Sequence, residues 1–124
     1  MKQRKFSFIK RLNSFSHAYN GLKILLKEEH NSRIHFIAAI AVITASFLFK
    51  INFYEWIAVI FSIGFVIVLE IINSVIENIA DFISPEKHEK IKWIKDLSAA
   101  AVLISALTAL VIGLIIFIPK IFTQ

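Results

Sequence analysis

Glu70, Asn73, Glu77 and Asp81 interrupt an otherwise apolar segment, Val68-Leu-Glu-Ile-Ile-Asn-Ser-Val-Ile-Glu-Asn-Ile-Ala-Asp81, at spacings of three, four and four. At roughly 100° per residue they share an arc of about 80° on one helix face. An ionisable group at the centre of a membrane helix costs about 2.5–3.5 kcal/mol on insertion scales. Two Glu and one Asp on one stripe therefore imply a partner: a metal, another cation or a proton path. The competing reading is a polar face packed against other helices. Two further acids, Glu28 and Glu29, stand in a basic stretch just before an apolar block. Helix capping or solvation accounts for one of them, and both stay candidates.

The elements that must hold these groups are membrane spans. The chain has 124 residues, enough for one domain, and is 57% hydrophobic with mean hydropathy +0.72, above the usual apolar share of soluble domains. The apolar residues fall in blocks. We expect an all-α integral membrane protein, with an amphipathic surface helix over residues 6–29 and spans over 34–50, 53–83 and 97–118, the second extended beyond the bilayer. The surface helix rests on Phe8, Leu12, Phe15, Tyr19, Leu22 and Leu26, which recur at threes and fours, with most basic residues off that stripe. A span needs about 20 residues. The first block is short, and Lys50 can snorkel at its end.

Eight of the 14 Lys and Arg lie between Met1 and Arg33, and four more between Lys87 and Lys95. Three spans put both clusters on one side, which is then cytoplasmic. We read the net charge of +5 as this topology signal and expect no nucleic-acid partner. Tyr54 and Trp56 stand where an interfacial aromatic belt belongs. No cleavable signal peptide is visible. From Trp56 to Glu70 is about 21 Å of helix, against a hydrocarbon core of about 30 Å. Glu70 then lies towards the cytoplasmic leaflet, and Glu77 and Asp81 near or beyond the interface. Chemistry at the cytoplasmic surface fits this placement better than a channel does.

Some chemistry is excluded. There is no cysteine, so thiolate sites and disulfides are absent. Three glycines, Gly21, Gly64 and Gly113, cannot build a phosphate-binding P-loop or a dinucleotide fingerprint. His17, His30, His35 and His88 show no metal-ligand spacing as a set, and we read them as surface or interface residues. Ser84-Pro85-Glu86 stops the second span and suits a helix start. Ser98, Ala101, Ser105 and Thr108 form a small-residue stripe on the last span, as close helix packing requires.

Glu70-Ile-Ile-Asn73-Ser74-Val-Ile-Glu77-Asn-Ile-Ala-Asp81, with the downstream Lys95-Asp96-Leu-Ser-Ala-Ala-Ala-Val, resembles the prokaryotic diacylglycerol kinase family, which includes the undecaprenol kinases. The resemblance runs from Phe6 to about Ile118 and includes Gly21-Leu22 and Glu29. It implies a homotrimer with sites at the membrane–cytoplasm interface shared between neighbouring subunits. It also implies Mg²⁺-dependent transfer of the ATP γ-phosphoryl group to a lipid hydroxyl, in the bacterial inner membrane. By the same resemblance Glu70 is the catalytic base, and Glu29 and Glu77 hold Mg²⁺ with ATP. Asn73 is the motif amide, Asp81 an acid near the nucleotide, Lys95 and Asp96 a nucleotide-contacting pair, and Glu86-Lys87-His88 a nucleotide-contacting loop. Lys10 stands where the family can carry an Arg near ATP and lipid, a departure that weakens any bidentate phosphate contact. His17 stands where a Tyr can occur. Arg33-Ile-His35 and Ser84-Pro-Glu-Lys-His88 look more like the undecaprenol branch, so undecaprenol is placed ahead of diacylglycerol as the lipid. Two readings from other classes stay open: a small proton-coupled transporter using Glu70, and a non-enzymatic helical membrane assembly protein. ATP-dependent phosphate incorporation into lipid separates the first reading from both.

Overall fold

The computed structural model describes residues 2–84, 86 and 88–123, with side chains described from residue 8 onward. Four helices follow in order: α1 (Lys2–Glu28), α2 (His30–Leu48), α3 (Phe53–Ile83) and α4 (Glu89–Phe122). No strand occurs among the described residues. Three of the described helices, α2, α3 and α4, are long and apolar enough to cross a membrane. At 1.5 Å per residue they measure about 28, 46 and 51 Å.

The breaks between helices follow from single residues. Glu29 alone separates α1 from α2, in extended backbone at φ −110° and ψ 109°. Arg33 reaches back across this break and donates from its guanidinium to the Lys27 carbonyl at 2.9 Å, which satisfies an end-of-helix acceptor. At the far end of α2, Ile51 N–H donates to Ser46 and Lys50 N–H to Phe47, the paired bonds of a Schellman turn. Lys50 occupies the left-handed position at φ 51°, where glycine is usual. The buried Ile51 that follows it anchors the turn. This moves the end of α2 to Leu48, so Lys50 is a turn residue and not the last residue of the span.

Asn52 and Glu55 then start α3 with a reciprocal capping box, each side chain bonding the other's backbone N–H. That arrangement satisfies two of the donors a helix start leaves open. With no Gly or Pro from Phe65 to Ser84, the helix runs unbroken to Ile83. Ser84 turns extended, at φ −140° and ψ 87°, as a residue before proline does. The expected helix start at Ser84 is displaced. The cap of α4 is His88, whose Nδ1 accepts from the Lys90 N–H at 3.1 Å. The charged stretch from Glu89 to Asp96 is therefore helix and extends the last span.

α3 and α4 form the principal helix pair, with α2 packed against α3. On α3 the buried face runs Val59, Ser62, Val66, Glu70, Ser74, at three- and four-residue steps. Ser32 and Ser46 of α2 and Ser98 and Ser105 of α4 are also buried. Small side chains let the helices approach closely. The opposite end from Glu77 and Asp81 closes on Ile51, Val59 and Ile116, with Trp56, Phe49 and Phe117 around them. There Lys120 donates to Glu55 at 2.9 Å and ties the end of α4 to the start of α3.

Large apolar side chains remain exposed along every span, among them Ile37, Ile60, Phe61, Leu103 and Ile115. A single chain therefore does not cover its own spans. Helix α1 is present, with Phe8, Leu12, Phe15 and Tyr19 exposed. Its segregation of apolar from basic residues is weak, because Ile9, Ala18, Ile24 and Leu25 fall outside the expected stripe. Among its described side chains, Leu25 near the end of α1 is the buried one.

Candidate functional site

The acidic stripe of α3 meets residues of α2 on one side and α4 on the other. Glu70 is 4% exposed. The Ser32 hydroxyl donates to its Oε2 at 3.1 Å. Its Oε1 lies 2.5 Å from His35 Nδ1, off the N–H direction, so both atoms are buried without a formal hydrogen bond. Ser32 and His35 are three residues apart and so share one face of α2.

One turn along α3, the Ser74 hydroxyl donates to Glu29 Oε1 at 3.5 Å. Glu29 sits at the cap position of α2, yet its carboxylate makes no cap bond. Its charge is therefore not spent on the helix. Glu77 is half-buried, and the carboxylates of Glu29, Asp81 and Glu70 all oppose its charge while Lys95 favours it. Among the described residues no group of three or more His, Asp or Glu forms a metal cage. A pair of carboxylates is nonetheless the protein share that Mg²⁺ ordinarily takes, the remainder being phosphate and water. Glu29 and Glu77, whose carboxylates oppose one another, are the candidates for that pair.

On the α4 side, the Ser98 hydroxyl donates to Asn73 Oδ1 at 2.7 Å, so Ser98 orients the stripe amide as well as packing. Asn78 donates to the Ser74 carbonyl at 2.7 Å and braces the same turn. Lys95 donates to Asp81. Asp96 pairs with Lys92 at 3.3 Å. A cavity of about 550 Å³ opens between the ends of α3 and α4, lined by Asp81, Glu86, His88, Lys95 and Asp96 with their neighbours. That volume is in the range of small-molecule sites.

The structure thus brings Glu29, Glu70, Asn73, Glu77, Asp81 and Lys95 into one region, and puts Asp96, Glu86 and His88 around the adjoining cavity. Lys87 lies outside the described residues. Lys10 and His17 are exposed on α1, and neither side chain bonds or pairs with another described residue; within one chain they stay apart from the cluster. Ser32, His35 and Ser74 are additions that the sequence reading did not single out. The available signal was polar residues at i and i+3 in the first turns of a span that begins at Glu29.

The family model described as prokaryotic diacylglycerol kinase matches residues 16–117. The chain is 37% identical over 107 residues to the undecaprenol kinase of Bacillus subtilis (strain 168), covering 86% of this chain and 87% of that protein. It is 31% identical over 109 residues to a diacylglycerol kinase of Synechocystis, covering 87% of this chain and 62% of that protein. A diacylglycerol kinase of Helicobacter pylori (strain 26695) is 40% identical over 86 residues, 68% of this chain and 66% of that protein. The chain spans less than two thirds of the length of the latter two relatives.

Proposed function

The chain belongs to the prokaryotic diacylglycerol kinase family and is a lipid kinase, a phosphotransferase with an alcohol acceptor, and from that premise we propose that it phosphorylates undecaprenol, ahead of diacylglycerol, with ATP as donor. The observation that carries the reading is the buried Glu70 carboxylate, set about 10 Å along α3 from Glu77 and facing the same cluster as the Glu29 carboxylate.

In this reading the acceptor hydroxyl enters beside Glu70, which takes its proton as the lipid oxygen bonds to the γ-phosphorus. The phosphorus–oxygen bond to ADP breaks in the same transfer. Phosphoryl transfer asks more of positioning and charge neutralisation than of covalent help. Mg²⁺ bound with ATP between Glu29 and Glu77 would neutralise the phosphate charge. Lys95, Asp81, Asp96, Glu86 and His88 would bound the nucleotide in the cavity between α3 and α4, and Asn73, held by Ser98, would bond a polar group of the transfer site. The preference for undecaprenol is supported by the Arg33-Ile-His35 stretch and by the 37% identity to a protein of that name.

The purified protein, assayed with ATP and Mg²⁺ in mixed micelles carrying either lipid, should move phosphate to undecaprenol faster than to diacylglycerol. A reversed ranking would transfer the lipid assignment to diacylglycerol. No transfer to either alcohol would return the transporter and assembly readings.

We place α1 on the cytoplasmic face of the bacterial inner membrane as a surface helix, with the basic loop after α3 on the same side. The active unit is a homotrimer. The separation of Lys10 and His17 from the rest of the site within one chain supports this. Crosslinking in mild detergent should trap trimers that carry the activity, and an active monomer at high dilution contradicts the assembly.

A further inference from the structure

We propose that His35 and Ser32 are positioning residues that fix the orientation of the Glu70 carboxylate. The inference rests on the reading of Glu70 as the base. Both residues come from one face of α2, and each meets a different oxygen of Glu70: the Ser32 hydroxyl donates to Oε2 at 3.1 Å, and His35 Nδ1 stands 2.5 Å from Oε1.

A carboxylate rotates freely about its terminal torsion. With Oε2 hydrogen-bonded by Ser32 and Oε1 walled by the His35 ring, that rotation is restricted. Burial strengthens the hold: Ser32 is fully buried and Glu70 is 4% exposed, so no bulk water competes for either oxygen. The ring of His35 is not enclosed to the same degree, with its side chain 26% exposed against 5% for Glu70. It therefore sits as a wall between the buried carboxylate and the outside of the helix pair. The His35 contact is close but not aligned with its N–H, so Oε1 is buried without a hydrogen bond, and the ring limits where an acceptor hydroxyl can approach it. Ser32 lies three residues beyond Glu29, the extended cap residue of α2. The first turn of α2 therefore ties the position of the Glu70 carboxylate to that of the Glu29 backbone.

A reacting group misplaced by 1 Å can lose about 10²-fold in rate. His35→Ala should therefore lower kcat by about that factor, with KM for Mg·ATP within about twofold of wild type, because the nucleotide cavity lies beyond Glu77. His35→Asn keeps a donor near the Nδ1 position and should recover most of kcat, a rescue that a packing role would not favour over Ala. In a Glu70→Gln background, His35→Ala should cause no further loss, since nothing is left to position.

Equal kcat losses from His35→Ala in both backgrounds, or a wild-type kcat in the single variant, overturn the proposal. Low activity of Glu70→Gln beside normal activity of His35→Ala would sink the positioning role and leave the base intact. Near-normal activity of Glu70→Gln would sink the base itself, and the positioning role with it. Should His35→Ala fail to assemble, Ser32→Ala, a smaller change at the other oxygen, carries the same test: an unchanged kcat there overturns the proposal.

Discussion

Glu70→Gln should lower kcat by about 10²–10⁴-fold, the usual cost of losing a general base, while leaving KM for Mg·ATP near its wild-type value. The substitution is close to isosteric. The Gln carbonyl oxygen can still accept from Ser32, so the packing of α2 on α3 is kept. What disappears is the capacity to take the hydroxyl proton, because an amide has no basic lone pair at neutral pH. The nucleotide side of the site should hardly respond, since Glu70 lies about 10 Å along α3 from Glu77. Stability gives an independent control. Glu70 is a buried ionisable group in an apolar span, and a neutral residue of the same volume there is often neutral or stabilising when its hydrogen bonds survive. Unchanged or raised thermal stability with a collapsed kcat is the expected pair of results. Near-normal turnover at saturating ATP and lipid would make Glu70 a structural group, held by Ser32 to join two helices.

Helix periodicity reports which residues share a face, and the parts of the molecule that depend on one face were legible. The stripe of Glu70, Asn73, Glu77 and Asp81 is on one side of α3, and that helix continues past the apolar block as its lack of Gly and Pro implied. Three long apolar helices were likewise visible as blocks of hydropathy. Contacts between helices were not. His35 shows no metal-ligand spacing with the other histidines, and the Arg33-Ile-His35 stretch bears on the lipid alone; its relation to Glu70 exists across α2 and α3, 35 residues apart. Ser98 belongs to the small-residue packing stripe and also holds Asn73. Helix ends shifted for local reasons that hydropathy does not encode: a Schellman turn that puts Lys50 in a left-handed position, and a cap at His88 that makes helix of a charged stretch. The weak segregation along α1 has a similar origin. A stripe was read at threes and fours, but Ile9, Ile24 and Leu25 add apolar surface elsewhere around the helix.

Glu77→Gln should fail differently from Glu70→Gln. The half-buried Glu77 carboxylate is opposed by its burial and by the charges of Glu29, Asp81 and Glu70, and Lys95 offsets only part of this. Removing that charge relieves the repulsion, so the folded protein should be at least as stable. It also removes a hard anionic oxygen from the pair that would hold Mg²⁺ with ATP. Loss of a group that merely supports a metal ligand costs about 10–100-fold in metal affinity, and loss of the ligand itself should cost no less. The Mg²⁺ concentration giving half-maximal rate should rise by at least that factor, and KM for ATP should rise at fixed Mg²⁺. High Mg²⁺ should then restore part of the rate, because Glu29 and the phosphates remain to bind it. The same titration should not rescue Glu70→Gln, whose deficit is in the chemical step. Measuring rate against Mg²⁺ for both variants, with the oligomer checked in each, separates the roles. An unshifted Mg²⁺ dependence in Glu77→Gln would remove this residue from the metal pair.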